Sequence, residues 1–107
     1  MTRDKIDFSK RAKLQYFVDQ IARAVTDRWT QFSVQAHSED VCTVIITVSG
    51  QRGIASRTLV CMRVNMDGVD KWHVLVNANR YICNTMSEIG TAIKYQQTHM
   101  KNLLLKF

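Results

Sequence analysis

A chain of 107 residues with 46% apolar and 22% charged side chains has the composition of one globular domain, residues 1 to 107, and not of a disordered segment. No run of about 18 apolar residues occurs, and the start Met1-Thr2-Arg3-Asp4-Lys5 lacks an apolar signal core, so the expectation is a protein without a membrane partner, cytoplasmic, or nuclear in a eukaryote. The formal charge of +6 suits an anionic partner such as RNA, DNA or an acidic protein surface, while also serving plain solubility.

Between Ser9 and Trp29 the apolar positions Leu14, Phe17, Val18, Ile21, Val25 and Trp29 recur at spacings of three and four, one stripe of an amphipathic helix with Asp7 or Ser9 as its cap. Lys10, Arg11 and Lys13 fall in its first turns. That is the unfavourable end for cations, because the helix dipole is positive there. The cluster either faces an anionic partner or bends away into water.

Thr30 to His37 then alternates Phe32, Val34 and Ala36 with Ser33 and Gln35, the pattern of a short strand, before Ser38-Glu39-Asp40 turns the chain. Asp40 to Asn77 reads as a three-strand meander. Val41 to Val48 is too β-branched to prefer a helix, and Ser49-Gly50 closes it. In the following loop Arg52 and Arg57 offer forked donors to phosphate or carboxylate. Its Gly50-x-x-Gly53 lacks the strand-to-helix context and the Lys-Ser/Thr of a phosphate loop.

Thr58 to Met66 alternates, with Val60, Met62, Val64 and Met66 on one face and Leu59, Cys61, Arg63 and Asn65 on the other. After the hairpin signal Asp67-Gly68, Lys71 to Val76 puts Trp72, Val74 and Val76 on one side. If the inward face is Val60, Met62 and Val64, then Val64 pairs with Trp72 and Met62 with Val74, with a three- or five-residue loop around Asp67 to Asp70. A strict two-residue turn would instead place Lys71 and His73 in the core.

A long C-terminal helix starts between Asn79 and Ser87, on the stripe Ile82, Met86, Ile89, Ile93, Met100 and Leu104. Gly90 interrupts it at a cost of about 1 kcal/mol, which marks a close contact or a break. Leu103, Leu104, Leu105 and Phe107 make an apolar end broader than one stripe, an oligomer contact or a tail folded onto its own core.

The expected fold class is therefore α+β: an N-terminal helix, an antiparallel meander of three or four strands and a long C-terminal helix, with both helices on one face of the sheet. The inward face would hold Val44, Ile46, Val48, Val60, Met62, Val64, Trp72, Val74 and Val76. The outward face would show Thr43, Ile45, Thr47, Arg57, Leu59, Cys61, Arg63, Lys71, His73 and Leu75, with Arg63 opposite His73. A mixed basic and apolar sheet face can hold RNA, a second copy or another protein, but it lacks the Phe or Tyr on which bases stack.

Catalysis finds little support. His37, His73 and His99 lie on separate elements, no paired carboxylates fall in a plausible cleft, and Cys61 and His73 are only diagonal neighbours on the expected outer face. The three cysteines, Cys42, Cys61 and Cys83, are odd in number and lack Cys-x-x-Cys spacing, so buried free thiols are expected in place of a disulfide framework or zinc knuckle. No catalytic residue, cofactor or metal is expected.

Two functions follow. One is a small non-catalytic interaction protein that binds or inhibits another macromolecule; compact proline-free α+β chains of this size are common among phage and viral accessory proteins. It would work as a homodimer, which a short chain with limited burial favours, with Ile45, Leu59, Leu75, Leu103, Leu105 and Phe107 as the oligomer contact. The other is a basic nucleic-acid-binding module. In either, Lys10, Arg11, Lys13, Arg52, Arg57, Arg63, Lys71 and His73 are the partner-binding candidates.

Overall fold

A computed structural model describes residues 13–105, and its architecture follows from short turns that leave each strand beside the next. In chain order the elements are helix α1 (Lys13–Val25), strands β1 (Thr30–Ala36), β2 (Val41–Gly50), β3 (Gly53–Met66), β4 (Val69–Val76) and β5 (Asn79–Cys83), and helix α2 (Met86–Leu105). The strands form one open antiparallel sheet in the order β1-β2-β3-β4-β5. Both helices pack on one face of it, as expected for this α+β chain, around a core that joins Leu14 and Val18 of α1 to Ile89, Ile93 and Met100 of α2.

Helix α1 buries Leu14, Val18 and Ala22 at successive spacings of four, while Ile21 and Val25 pack at the margin of the core. Its expected start at Ser9 lies outside the described residues. It ends at Val25 and not at Trp29, for a local reason. Thr26 turns its hydroxyl back to the Ala22 carbonyl at 2.8 Å. Asp27 then accepts the Trp29 N–H on its carboxylate at 2.9 Å, a side-chain turn that competes with the next helical bond.

The sheet departs from the sequence reading at β3. Met66 pairs with Val69, so Asp67-Gly68 is a strict two-residue turn. Both residues take positive φ, 55° at Asp67 and 81° at Gly68, the pattern whose twist matches a tight hairpin. Because side chains alternate with period two, turn length fixes which face each residue takes. Arg63 pairs with Trp72, Cys61 with Val74 and Leu59 with Val76, all on the helix side. From the other flank, Cys42 pairs with Cys61 and Val44 with Leu59. Leu59 and Cys61, expected outside, are fully buried. Val60, Met62 and Val64, expected inside, point away from the helices. The inward assignments of Val44, Ile46, Val48, Val74 and Val76 agree with their burial. Each fully buried aliphatic side chain contributes about 1.5–3 kcal/mol.

Thr30 to Ala36 forms the fourth strand, as expected. A fifth, β5, takes Ile82 out of the expected helical stripe and leaves it 56% exposed. Asn77, at φ 56°, makes the tight connection from β4. Helix α2 starts only at Met86, after a cap in which Glu88 accepts the Asn84 N–H at 3.2 Å and the Thr85 hydroxyl at 3.3 Å, satisfying a donor that the first turn leaves free. Gly90 does not break α2. It sits where α1 crosses closely, and an added Cβ would lie 3.3 Å from the Ile21 side chain.

Candidate docking face

The sheet's outer face is built by the β3 register. One row crosses four strands as Val41, Met62, His73 and Ile82, and the next as Thr43, Val60, Leu75 and Arg80. Ile45 lies beyond them opposite Thr58, and Val64 opposite Lys71. The two rows make a band that clusters Val41, Met62 and Ile82 with Val60 and Leu75, with Thr43, His73 and Arg80 among them. Among the described residues neither helix lies on it. Hydroxyls border the band: Thr47 and Ser56 are 3.1 Å apart, and Thr43 meets the His37 ring.

His73 is the anomaly of this face. It is only 6% exposed, between its cross-strand neighbours Met62 and Ile82, and neither ring nitrogen has a partner among the described residues. Burying an imidazole without a hydrogen bond costs stability.

The expected basic surface is redistributed. Arg57 faces the helices, opposite Ile46, and donates from Nη1 to the Gln96 Oε1 at 2.6 Å. Arg63 also lies on the helix side, so it does not stand opposite His73. It binds Asp40 Oδ1 through Nε at 2.8 Å and Nη2 at 2.6 Å. Both arginines are thus drawn to internal partners instead of the outer face, because the two-residue turn gives them odd-numbered positions on the buried side. Lys71 is on the outer face and donates to Asn84 Oδ1 at 2.6 Å. Arg52 is exposed at the β2–β3 turn, its N–H bonded to the Leu104 carbonyl at 3.1 Å. Lys13 is the first residue of α1, while Lys10 and Arg11 lie outside the described residues.

Of the expected oligomer contacts, Ile45 and Leu75 are half-buried on the outer face. Leu59 is inside the core and unavailable to a partner. Leu103 is exposed on α2, Leu105 ends that helix, and Phe107 lies outside the described residues. Sequence reasoning missed Val60, Met62, Val64 and Ile82 as surface residues. The signal that finds them is the Asp67-Gly68 turn taken at its strict length.

Polar chemistry on the helix side is structural. Gln97 is buried, and its Nε2 donates to the Val25 carbonyl at 2.7 Å and to the Thr30 hydroxyl at 3.2 Å. Lys101 pairs with Asp27 at 2.5 Å. Burial pushes the Asp27 carboxyl up, but hydrogen bonds from Lys101, the Trp29 N–H and Thr30, with the Lys101 charge, outweigh it and hold the carboxyl below its usual range. The Cys42 and Cys61 thiols share a hydrogen bond that, together with burial, pushes Cys61 far up. Burial and then the Glu88 charge raise Cys83. Protonated and buried, Cys61 and Cys83 behave as small apolar groups. Cys61 faces the helices and His73 faces away, so the two are not neighbours on one surface. Among the described residues no group of three His, Cys, Asp or Glu side chains could hold a metal ion, and no helix is long and apolar enough to cross a membrane.

No protein-family model, no curated protein and no solved structure matches the chain.

Proposed function

We propose that this is a non-catalytic interaction protein whose outer sheet face docks another protein, one with an apolar centre and an acidic rim. The observation that carries the reading is the apolar band that β3 brings to the outer face, Val41, Met62 and Ile82 in one row and Val60 and Leu75 in the next. Contiguous apolar side chains on an uncovered face, rimmed by polar residues, mark a protein contact site. Lys71 and Arg80 flank it, and the chain carries a formal charge of +6, so an acidic rim on the partner is the complementary choice. A nucleic-acid platform is less well supported. Arg57 and Arg63 are engaged internally, and the described outer face carries no Phe, Tyr or Trp on which bases could stack.

The test is a nuclease-treated affinity capture with the wild type and with Val60→Glu, followed by rebinding of the purified partner. Thermal melts establish that the variant is folded. The expected result is an acidic protein that rebinds in pure form and loses at least about 30-fold in affinity to Val60→Glu, the effect of removing one interface hot spot. Binding that nuclease abolishes, or that Val60→Glu leaves unchanged, overturns the reading.

A further inference from the structure

The two edges of the sheet differ. On β1 the residues alternating with the half-buried Phe32 and Val34 are Gln31, Ser33 and Gln35, all polar. On β5 the edge carries Tyr81, 39% exposed, and Ile82, 56% exposed. Beside β5 on the helix side is a cleft of about 450 Å³, floored by Tyr81 and Cys83 and walled by Thr91, Ala92, Tyr95 and Gln96 of α2. Tyr95 is 63% exposed and lies flat against His99, ring centroids 6.5 Å apart. Among the described residues strand β5 has no lysine, no proline and no covering element; its single charge is Arg80, and Tyr81 and Ile82 leave it an apolar flank.

We infer that β5 is a self-association edge, at which the strands of two copies pair antiparallel about a two-fold axis through Tyr81. Geometry supports a second copy as the occupant. The two-residue connection makes Val76 and Asn79 the closing pair. In the alternation of an antiparallel ladder Asn79, Tyr81 and Cys83 then turn their backbone groups to β4, and Arg80 and Ile82 turn theirs outward. A two-fold axis at Tyr81 sets each outward Arg80 opposite the other copy's outward Ile82, so both pairs exchange hydrogen bonds. No like charges stand directly opposite each other. The two Tyr81 rings become close cross-strand neighbours on the helix side, over the clefts that Tyr95 walls.

The area is also adequate. Tyr81, Ile82 and Tyr95 together expose on the order of 300 Å², more than a third of the roughly 800 Å² that each partner buries in a standard interface. The rest would have to come from the β5 backbone and the exposed flank of α2. The assembly is a continuous ten-stranded sheet with its helices on one side. This inference does not rest on the docking reading: it uses the β5 edge and shares only Arg80 and Ile82 with the outer face.

Sedimentation equilibrium tests it on the wild type, Tyr95→Glu, Arg80→Pro and Val60→Glu. Proline at position 80 removes an outward donor only, so the fold tolerates it as at other edge strands, and melting curves establish that each variant is folded. The wild type and Val60→Glu should sediment at two chain masses. Tyr95→Glu and Arg80→Pro should each weaken association by at least about 30-fold. A wild type of one chain mass at roughly 0.1 mM, far above the dissociation constant of a standard interface, overturns the proposal. So does a dimer unmoved by both edge variants, or one lost in Val60→Glu alone, which would place the contact on the outer face.

Discussion

Truncating Leu59 and Met62 in turn separates the two possible registers of β3. Leu59 is fully buried between Val44 of β2 and Val76 of β4, both themselves in the core. The paired strands on either side pin its backbone, so the hole left by Leu59→Ala cannot collapse. The cost belongs in the middle of the range for such truncations, about 3–4 kcal/mol. At an m-value of about 2 kcal/mol/M the urea midpoint falls by about 1.5–2 M, and the melting temperature by about 12–16 °C for a chain of this length. Met62 is half-buried on the outer face, and Met62→Ala should cost about 1 kcal/mol or less. Urea titrations of the two variants, followed by far-ultraviolet circular dichroism, give the comparison. A Met62→Ala cost equal to or above that of Leu59→Ala would refute the register, and with it the apolar outer face.

Two further outcomes test the clip that holds α2 to the start of the sheet. Gln97→Ala leaves the Val25 carbonyl and Thr30 hydroxyl without their buried donor and opens a cavity, so it should cost about 2–3 kcal/mol in urea unfolding, against under about 0.5 kcal/mol for the exposed Thr98→Ala. Equal costs would show that Gln97 is not tied in. Asp27 has its carboxyl held below the usual range in the folded state, so its contribution is fully present above the unfolded value, near pH 4, and is lost as the pH falls through the lower folded value. With the Lys101 and Asp27 side chains 28% and 34% exposed, screening limits the pair to about 0.5–1 kcal/mol. Lys101→Met should therefore be less stable than the wild type by that amount at pH 6. The gap should narrow as the pH falls below about 4 through the lowered folded value; one that stays constant as the carboxyl is protonated contradicts the pairing.

Strong periodicity made α1, β2 and β4 legible in the sequence. Val41 to Val48 has no competing structure, and its alternate members are all buried. Strand β3 was ambiguous because both of its faces are apolar, Leu59 and Cys61 against Val60, Met62 and Val64. Bulk favoured the wrong face, and only turn parity separates them. The turn chemistry of Asp67-Gly68 carried that parity, but accepting it meant allowing His73 to be buried without a partner, which side-chain chemistry alone disfavours. Strand β5 was hidden for a different reason: Ile82, Met86, Ile89 and Ile93 fit a helical stripe. The sequence Thr85-Met86-Ser87-Glu88 nonetheless has the spacing of a capping box, which starts the helix after residue 85 and leaves 79–83 free to pair. The misplacement of Arg57, Leu59 and Arg63 on the candidate surface followed from the β3 parity alone.

The nearest-neighbour strand order has a consequence for how the molecule is made. Every strand pairs with the one synthesised just before it, so the sheet can zip up hairpin by hairpin, each closing a short loop at small entropic cost. The bonds that lock its face are of the opposite kind: Gln97 reaches back to Val25 and Lys101 to Asp27. Until α2 emerges from the ribosome, the β3 and β4 part of the future core stays wet. The vulnerable interval is thus the time between completion of β5 and the emergence of α2, when the described part of the sheet presents its helix-side face to its surroundings.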